Sequence, residues 1–230
     1  MNICVIPARG GSKRIPRKNI KIFCGKPMIA WSIETALKSK CFEQVVVSTD
    51  SKEIAEIAQH YGATVPFIRP KELSDDYTGT IPVIRHAVEW FQNREIVFEH
   101  VCCLYATAPF VRMEDLRNGM EQLVTCAADY AFSVTGFDFP VQRAIRLTEK
   151  GRVEMFYPKH FNTRSQDLEK AYHDAGQFYW GRTAAWLTEK IIFSSDSVPV
   201  VLPHFRVQDI DTFEDWERAE WLFKVMQCSQ

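Results

Sequence analysis

The sequence predicts an α/β fold in which a mostly parallel sheet is covered by helices on both faces. Short apolar runs of the kind that form buried strands alternate with longer segments whose apolar residues recur at helical spacing. This alternation is typical of βαβ units, whose crossover helices cover both faces of the sheet. The length of 230 residues fits one domain, and we predict a single domain over residues 1–230.

The strands and helices are expected in a regular order along the chain. Predicted strands cover residues 3–6, 44–50, 64–68, 97–105, 130–137, 177–180 and 198–202. Predicted helices begin at Lys26-Pro27-Met28, at Asp50-Ser51, after Thr80, at Met113, at Thr183 and after Thr212. Sites in parallel sheets lie outside the carboxyl ends of the strands. The candidate loops are therefore residues 9–18, 50–51, 69–80 and 107–109.

The rhythm changes between about residues 138 and 172. Two short β-like runs flank Lys150-Gly151, which is typical of a hairpin turn. We predict that this segment is a small β-rich insertion that projects from the sheet. Exposed aromatic residues such as Phe156 and Tyr157 suit a dimer surface there, and the alternative is that they pack on the core.

The first predicted strand leads into a basic, glycine-rich loop, in which Gly10, Gly11 and Ser12 are consecutive. Glycines let the chain turn and leave backbone N–H groups bare for an anion, and arginine and lysine supply charge for a polyphosphate. The alternative is a solvated basic loop, since neither GxxxxGK[ST] nor GxGxxG is present. The basic residues of the loop are Arg9, Lys13, Arg14, Arg17 and Lys18.

A second group of candidate residues, Asp209-Ile210-Asp211, lies near the end of the chain. Residues two apart in an extended segment point to the same side, so the two carboxylates face one way. Two carboxylates near a phosphate loop suit Mg²⁺, which prefers a few carboxylates together with phosphate oxygens. The alternative is that Asp211 only caps the last predicted helix.

The composition argues against several classes of protein. The net charge is -1, whereas general nucleic-acid binding favours a basic face. Seven cysteines, with no CxxC pair, indicate free thiols in a reducing compartment. No apolar stretch is long enough to span a bilayer. We expect a cytoplasmic protein that binds neither nucleic acid nor membrane.

The string from Ile6 to Asn19, Ile-Pro-Ala-Arg-Gly-Gly-Ser-Lys-Arg-Ile-Pro-Arg-Lys-Asn, resembles the N-terminal signature of the CMP-sugar-acid synthetases. These are cytidylyltransferases that activate nonulosonic acids, and the resemblance extends to the last predicted helix. It implies a Rossmann-like sheet of the nucleotide-diphospho-sugar transferase type, with a small inserted dimerisation region. It also implies CTP as co-substrate, Mg²⁺ or Mn²⁺ as cofactor and a homodimer.

The resemblance implies roles for individual residues. Arg9, Lys13 and Lys18 would neutralise the triphosphate, and Asp209 and Asp211 would hold the metal, with Asp211 also catalytic. The run Arg69-Pro70-Lys71-Glu72-Leu73 resembles a family segment in which the arginine helps to read cytosine. The other residues implied to contact the nucleotide are Ala8, Gly10, Gly11, Ser12, Asn19 and Thr80.

The segments implied to contact the sugar acid differ from those of sialic-acid synthetases. The loop reads Tyr-Ala-Thr-Ala-Pro at residues 105–109, and a later run reads Tyr-His-Asp-Ala-Gly-Gln at residues 172–177, so the expected glutamine and arginine are missing. Both segments resemble the members that take pseudaminic acid, whose product serves surface-glycan or flagellin glycosylation. The implied substrate contacts are Tyr105, Thr107, His173 and Gln177, although His173 also suits a structural role beside Asp174.

Other functions stay open at this point. Sialic acid, legionaminic acid or an eight-carbon ulosonic acid is the alternative substrate within the same reaction class. A nucleotide-sugar-binding regulatory protein is the alternative without turnover, and the presence of Arg9, Lys18, Asp209 and Asp211 argues against it. A dehydrogenase would need the dinucleotide glycine pattern, which the chain lacks.

Overall fold

The computed structural model describes residues 1–228. The strands in this range are β1 (Asn2–Pro7), β2 (Ile22–Phe23), β3 (Lys26–Pro27), β4 (Gln44–Ser48), β5 (His100–Leu104), β6 (Tyr130–Gly136), β7 (Ile145–Leu147), β8 (Val153–Met155), β9 (Tyr172–Arg182) and β10 (Ser197–Val201). The α-helices are α1 (Met28–Ser39), α2 (Lys52–His60), α3 (Thr80–Gln92), α4 (Met113–Thr125), α5 (Thr183–Leu187) and α6 (Phe213–Cys228). Among these residues, no helix is both long and apolar enough to cross a membrane.

The central sheet has six strands in the order β10-β6-β9-β5-β1-β4. β1 pairs in parallel with β4 and β5, and β10 pairs in parallel with β6. β9 runs antiparallel to both of its neighbours, β5 and β6. The predicted α/β class with a mostly parallel sheet is confirmed, and β9 is the exception to the parallel arrangement.

Helices cover the two faces of the sheet, as the side chains of β1 illustrate. Cys4 and Ile6 pack in one core cluster with residues of α1, α2 and α4, whereas Ile3 and Val5 pack in another with residues of α3 and α5. These four side chains are fully buried. A strand that is buried on both faces is expected to be a continuous apolar run, which is what the sequence has here.

A third core cluster joins the two ends of the chain. Ile15 and Phe23, from the segment after β1, pack with Ile210 and with Trp216 and Phe223 of α6. The ring of Phe23 makes edge contacts with both aromatic residues, at centroid distances of 5.4 Å. This apolar contact fixes the basic loop beside the Asp209-Ile210-Asp211 segment.

The predicted strand at residues 64–68 is absent, whereas the predicted hairpin around Gly151 is present. Residues 64–68 do not form the predicted strand, since only single parallel bridges occur, at Thr64 and Ile68. Pro66 lies between these bridges and has no N–H to donate, which interrupts a hydrogen-bonded ladder. The predicted hairpin is present, because β7 and β8 pair antiparallel around Gly151, whose φ of 68° favours glycine.

Candidate functional site

A cleft of about 480 Å³ opens at the carboxyl ends of β1 and β5. Pro7, the last residue of β1, and Tyr105, which follows β5, both line it, as does Thr80 at the start of α3. This is the edge at which sites form in parallel sheets. The predicted site residues that line the cleft are Arg9, Ser12, Lys13, Lys18, Asn19, Arg69, Thr80, Tyr105 and Thr107.

The basic loop is held by hydrogen bonds to its backbone. The N–H of Gly10 donates to Asp50 Oδ1 at 2.8 Å, and Asn19 Nδ2 donates to the carbonyl of Arg9 at 2.9 Å. An added Cβ at Gly10 would lie 3.2 Å from Cβ of Ser51, so the glycine allows a close approach.

The backbone of this loop is less available to a ligand than the sequence predicted. The N–H groups of Ala8, Gly10 and Ser12 donate to Ser48, Asp50 and Gly10 respectively. The expectation that the loop has bare N–H groups is therefore wrong for these three residues. Recognition of an anion here falls mainly on the side chains.

An acidic residue that the sequence analysis did not select pairs with the basic loop. Asp76 accepts from Arg9 Nη1 at 2.5 Å and also forms an ion pair with Lys13, and the carbonyl of Asp75 accepts from Arg9 at 2.7 Å. These contacts, Lys13 first and then Arg9, lower the pKa of the Asp76 carboxyl. The sequence feature that could have indicated this contact is the acidic pair Asp75-Asp76 in the polar loop at residues 74–80, before α3.

The carboxylate of Asp211 pairs with the other half of the basic loop. Arg14 lies 2.6 Å and Lys18 3.2 Å from its two oxygens, and Lys18 Nζ also donates to the carbonyl of Ile210 at 2.7 Å. The charges at the two ends of the chain are therefore in direct contact. Lys18 lines the cleft, so Asp211 contacts the cleft wall through this lysine.

Asp211 is not the cap of the last helix, which was the alternative left open by the sequence. Asp215 Oδ2 accepts from the N–H of Thr212 at 2.9 Å, and Thr212 Oγ1 accepts from the N–H of Asp215 at 3.2 Å. This reciprocal pair is a capping box, so Thr212 is the N-cap of α6. The carboxylate of Asp211 instead forms ion pairs with Arg14 and Lys18.

The neighbouring Asp209 has a perturbed carboxyl group. Partial burial, and then repulsion from the Asp211 carboxylate, raise the pKa of Asp209. A like charge that disfavours ionisation is the arrangement that a bound cation relieves. Within residues 1–228, no cluster of three or more His, Cys, Asp or Glu side chains is arranged to hold a metal, so the candidate donors here are these two carboxylates.

Arg69 is a buried cation in the wall of the cleft. Its side chain is 5% exposed and donates to the carbonyls of Ser48 and Leu73, while its Nε has no hydrogen-bond partner among the described residues. Burial lowers the pKa of Arg69 to about 10, so the guanidinium keeps its charge at neutral pH. It can therefore offer a hydrogen bond and a positive charge to a ligand in the cleft.

A second cavity of about 470 Å³ adjoins the cleft and shares Gly79, Thr80 and Tyr105 with it. Asp174 and Tyr179, neither of which the sequence analysis selected as a site residue, also line this second cavity. The hydroxyl groups of Thr80 and Tyr105 lie 2.9 Å apart, and Tyr179 donates to Asp174 at 2.5 Å. Asp174 lies in the run at residues 172–177, which was singled out for its resemblance, but its carboxylate gave no separate signal.

Two predicted substrate contacts lie away from both cavities. Nδ1 of His173 lies 2.8 Å from the carbonyl oxygen of Asp174, and its ring packs on Phe137 at 4.8 Å between centroids. Gln177 is buried, and its Nε2 donates to the carbonyl of Arg206 at 2.7 Å. Neither residue lines the cleft or the second cavity.

Comparison with known proteins agrees with this architecture. A family model described as cytidylyltransferase matches residues 3–213. The pseudaminic acid cytidylyltransferase of Campylobacter jejuni subsp. jejuni serotype O:2 is 51% identical over 224 residues, which cover 97% of each chain. The CMP-N,N'-diacetyllegionaminic acid synthase of Legionella pneumophila is 34% identical, covering 98% of this chain and 97% of the relative.

A solved structure shares the fold at low sequence identity. The structure of a CMP:2-keto-3-deoxy-manno-octonic acid synthetase complexed with CTP matches with a TM-score of 0.70 and 18% identity. The match covers 98% of this chain and 99% of the other. At this identity the likeness establishes the arrangement of strands and helices.

Proposed function

This chain belongs to the cytidylyltransferase family, and we propose that it transfers CMP from CTP to pseudaminic acid with release of diphosphate. It is a CTP-dependent nucleotidyltransferase. The observation that carries the proposal is the contact of Lys18 with Asp211 at a cleft whose wall also holds Arg9 and Arg69. Cations for a triphosphate thus line the cleft, and one of them contacts a carboxylate that we propose as a metal ligand.

The lining residues suggest how CTP lies in the cleft. Arg9, Lys13 and Lys18 would contact the triphosphate, which competes with Asp76 and Asp211 for these cations. Arg69 would contact the cytosine from the wall of the cleft. Asn19 and Thr80, which also line the cleft, would contact the nucleoside.

The choice of sugar acid rests on similarity and on two segments of the sequence. The pseudaminic acid enzyme is 51% identical, whereas the legionaminic acid enzyme is 34% identical. Residues 105–109 and 172–177 also lack the glutamine and arginine that sialic-acid synthetases carry. Tyr105 and Thr107 line the cleft and are the substrate contacts that we retain from the sequence.

The transfer itself needs positioning and electrostatic stabilisation. The anomeric hydroxyl of the sugar acid attacks the α-phosphorus in line, the new P–O bond forms, and the bond to the β-phosphate oxygen breaks. Negative charge on the phosphate oxygens grows in the transition state, and Arg9, Lys13 and Lys18 stabilise it.

The residues present fit a divalent metal. Asp209 and Asp211 supply hard carboxylate oxygens, and a cation would offset the burial and the repulsion from Asp211 that raise the pKa of Asp209. We propose that these two residues hold Mg²⁺ or Mn²⁺ together with phosphate oxygens. When bound, such an ion withdraws charge from phosphate oxygens and acts as a Lewis acid.

We further propose a homodimer in the cytoplasm. The inserted segment at residues 138–172 exposes large apolar side chains, among them Phe139 at 82%, Leu147 at 77% and Phe161 at 70%. Large apolar side chains exposed within one segment suit an interaction surface. Light scattering of the wild type and Phe161→Glu tests the dimer.

All seven cysteines lie in the described part of the chain as free thiols, which suits the reducing compartment that we propose for this protein.

The decisive experiment is diphosphate release from CTP with a panel of sugar acids. Pseudaminic acid is expected to give the highest kcat/KM, with legionaminic, sialic and eight-carbon ulosonic acids well below it. A higher value for one of these other acids would overturn the substrate assignment and leave cytidylyl transfer intact. Absence of diphosphate release with every acid would overturn the whole proposal.

A further inference from the structure

The second cavity differs from the cleft in the charge of its lining. Five basic side chains and one acidic side chain line the cleft, and they are Arg9, Lys13, Arg14, Lys18, Arg69 and Asp76. In the described part of the chain, no basic side chain lines the second cavity, and its one carboxylate is that of Asp174. Thr80 and Tyr105 line both cavities, so a ligand that extends past them leaves a basic environment for an acidic one.

Apolar side chains form much of the wall of the second cavity. The start of α3 and the loop between α5 and β10 supply them, and they are Ile81, Pro82, Ile192 and Phe193. The ring of Phe193 packs on Phe132 at 5.2 Å between centroids, and Phe132 stacks on Tyr179 at 6.0 Å. Cavities with a few placed polar groups among apolar ones are typical of small-molecule sites, in which the polar groups set the orientation of the ligand.

An irregularity in β9 places the carboxylate in this cavity. In a regular strand, residues five apart are separated by about 17 Å and point to opposite faces. Here the register with β6 shifts, so that residues 175–178 lie opposite Ser133 alone. Bulges re-aim side chains and are frequent beside active sites. This bulge brings Asp174 and Tyr179 to the same cavity.

The carboxylate of Asp174 is fixed in place and still has free acceptor sites. The N–H of Gly176 donates to its Oδ1 at 2.8 Å, and the hydroxyl group of Tyr179 donates to its Oδ2 at 2.5 Å. Gly176 has a φ of 59°, a conformation that favours glycine. Each oxygen of a carboxylate can accept about two hydrogen bonds, so each has room for one more donor. A ligand in the second cavity therefore meets an oriented hydrogen-bond acceptor.

We propose that Asp174 selects sugar acids that carry an acylamino group, by accepting a hydrogen bond from the N–H of this group in the second cavity. The inference rests on the proposed function, which places the attacking hydroxyl of the acid beside CTP in the cleft. The carboxylate of the acid then lies toward the cations of the cleft, and its acylamino end lies beyond Thr80 and Tyr105.

An acylamino group matches each part of this cavity. Its N–H only donates and a carboxylate only accepts, so the pair has one possible direction. The hydroxyl groups of Thr80 and Tyr105 lie 2.9 Å apart and share one hydrogen bond, which leaves one O–H of the pair for the acyl carbonyl oxygen. The acyl methyl group packs on the apolar wall, where its burial is favourable.

Other ligands suit the second cavity less well. An anionic group would face the Asp174 carboxylate without a cation to balance it. Within residues 1–228, no group of three or more His, Cys, Asp or Glu side chains is placed to hold a metal, so this carboxylate has no partner donors for one. An arm that carries only hydroxyl groups would leave polar atoms unpaired against the apolar wall, which costs free energy.

The test compares pseudaminic acid with analogues in which an acetoxy group replaces one acetamido group at a time. An ester oxygen then takes the place of the N–H, so the shape is kept and the donor is lost. With the wild-type protein, one analogue is expected to have a kcat/KM lower by about 10-fold or more, because hydrogen bonds to charged groups are among the stronger ones. The change is expected in KM for the acid, with kcat and KM for CTP as for the parent acid.

Asp174→Asn in the full chain is expected to remove this discrimination. The amide has the shape of the carboxylate and lacks its charge, so the variant is expected to use the parent acid and the sensitive analogue about equally well. Asp129→Asn is the matched control, because Asp129 pairs with Lys190 and lines neither cavity. This control is expected to discriminate between the two acids as the wild type does.

If Asp174→Asn fails to fold, Phe193→Ala decides, since the side chain of Phe193 is 64% exposed and contributes little to the core. Loss of this wall is expected to raise KM for pseudaminic acid about threefold or more, as loss of a buried methyl contact does. KM for CTP is expected to stay at the wild-type value. An unchanged KM for the acid would then overturn the placement of the acylamino end.

The possible failures are distinguishable. If the wild type uses every acetoxy analogue as well as the parent acid, no N–H is read and the inference is overturned. If folded Asp174→Asn still discriminates as the wild type does, another group reads the N–H and the role of Asp174 is overturned. Both results leave the proposed function standing, whereas a wild-type protein that releases no diphosphate from CTP would overturn that function itself.

Discussion

Lys18 and Asp211 are 193 residues apart in the chain, and their side chains form an ion pair of 3.2 Å. The apolar residues beside them make this contact possible, since Ile15 and Ile210 are both buried in the cluster that α6 covers. Partly exposed ion pairs contribute little to stability, so packing rather than charge holds the two segments together. The ion pair is therefore free to rearrange when a phosphate arrives.

Asp211→Asn is expected to lower kcat by about 10²-fold, as loss of a single transition-state contact often does. The substitution keeps the shape of the side chain and removes the charge that faces Arg14 and Lys18. Diphosphate release at saturating CTP and Mg²⁺ measures the effect. Asp129→Asn is the control, since Asp129 pairs with Lys190 away from the cleft. An unchanged kcat would remove Asp211 from the catalytic machinery.

Removal of divalent metal is expected to abolish turnover, and added Mg²⁺ or Mn²⁺ is expected to restore it. Asp209→Asn should raise the Mg²⁺ concentration needed for half-maximal rate by about 10-fold or more, as loss of metal-site groups does. The measurement is a Mg²⁺ titration of the diphosphate-release rate. Full activity in the presence of a strong chelator would refute the metal proposal for this pair of carboxylates.

Asp76→Asn is expected to tighten CTP binding. In the ligand-free protein the Asp76 carboxylate neutralises Arg9 and Lys13, so the triphosphate has to displace it. Exposed ion pairs are weak, so a decrease of about two- to fivefold in the Kd for CTP is expected. Asp167→Asn is the matched control, because Asp167 pairs with Arg164 and neither residue lines the cleft. Weaker binding would instead mean that Asp76 helps to hold the nucleotide.

Arg69→Met is expected to weaken CTP binding by about 10-fold or more, because hydrogen bonds to charged groups are among the stronger ones. Arg69 is buried in the cleft wall, keeps its charge at neutral pH and has an unpartnered Nε. Titration calorimetry with CTP measures the change. Arg85→Met is the control, since its guanidinium pairs with Glu89 and Glu189 on the surface. Equal CTP affinity in the two variants would rule out the role of Arg69.

Much of the sheet could be predicted from the sequence because its strands are locally encoded. A continuous apolar run such as the one in β1 has few alternatives to a buried strand, and the position of the basic loop follows from it. Pro66 shows the limit of this approach, because the apolar residues around it were visible but the missing N–H decided the outcome.

The contacts across the site were harder to predict. The pairing of Asp174 with Tyr179 depends on a bulge whose register is set by the neighbouring strand β6, and no local pattern specifies it. Asp76 pairs with Arg9 and Lys13 of another loop, and Arg9 is 67 residues away from it in the chain. Such contacts depend on how the loops meet at the sheet edge.

Gly119→Ala is expected to destabilise the protein, although alanine normally favours a helix over glycine by about 1 kcal/mol. A Cβ at Gly119 of α4 would lie 2.7 Å from Cδ1 of Trp180 and 2.9 Å from Cε2 of Phe178. Both rings are fully buried, and Trp180 Nε1 donates to the carbonyl of Leu116 at 2.9 Å, so the indole cannot move away freely.

Overpacking of this kind costs about 1–3 kcal/mol, which is the expected decrease in the free energy of unfolding of Gly119→Ala. Urea denaturation followed by tryptophan fluorescence measures it. Gly136→Ala is the control, because the nearest atom to its added Cβ is the carbonyl oxygen of Ala171 at 4.0 Å. A Gly119→Ala variant at least as stable as the wild type would mean that α4 can move away from the sheet, which is not expected for a helix packed on these rings.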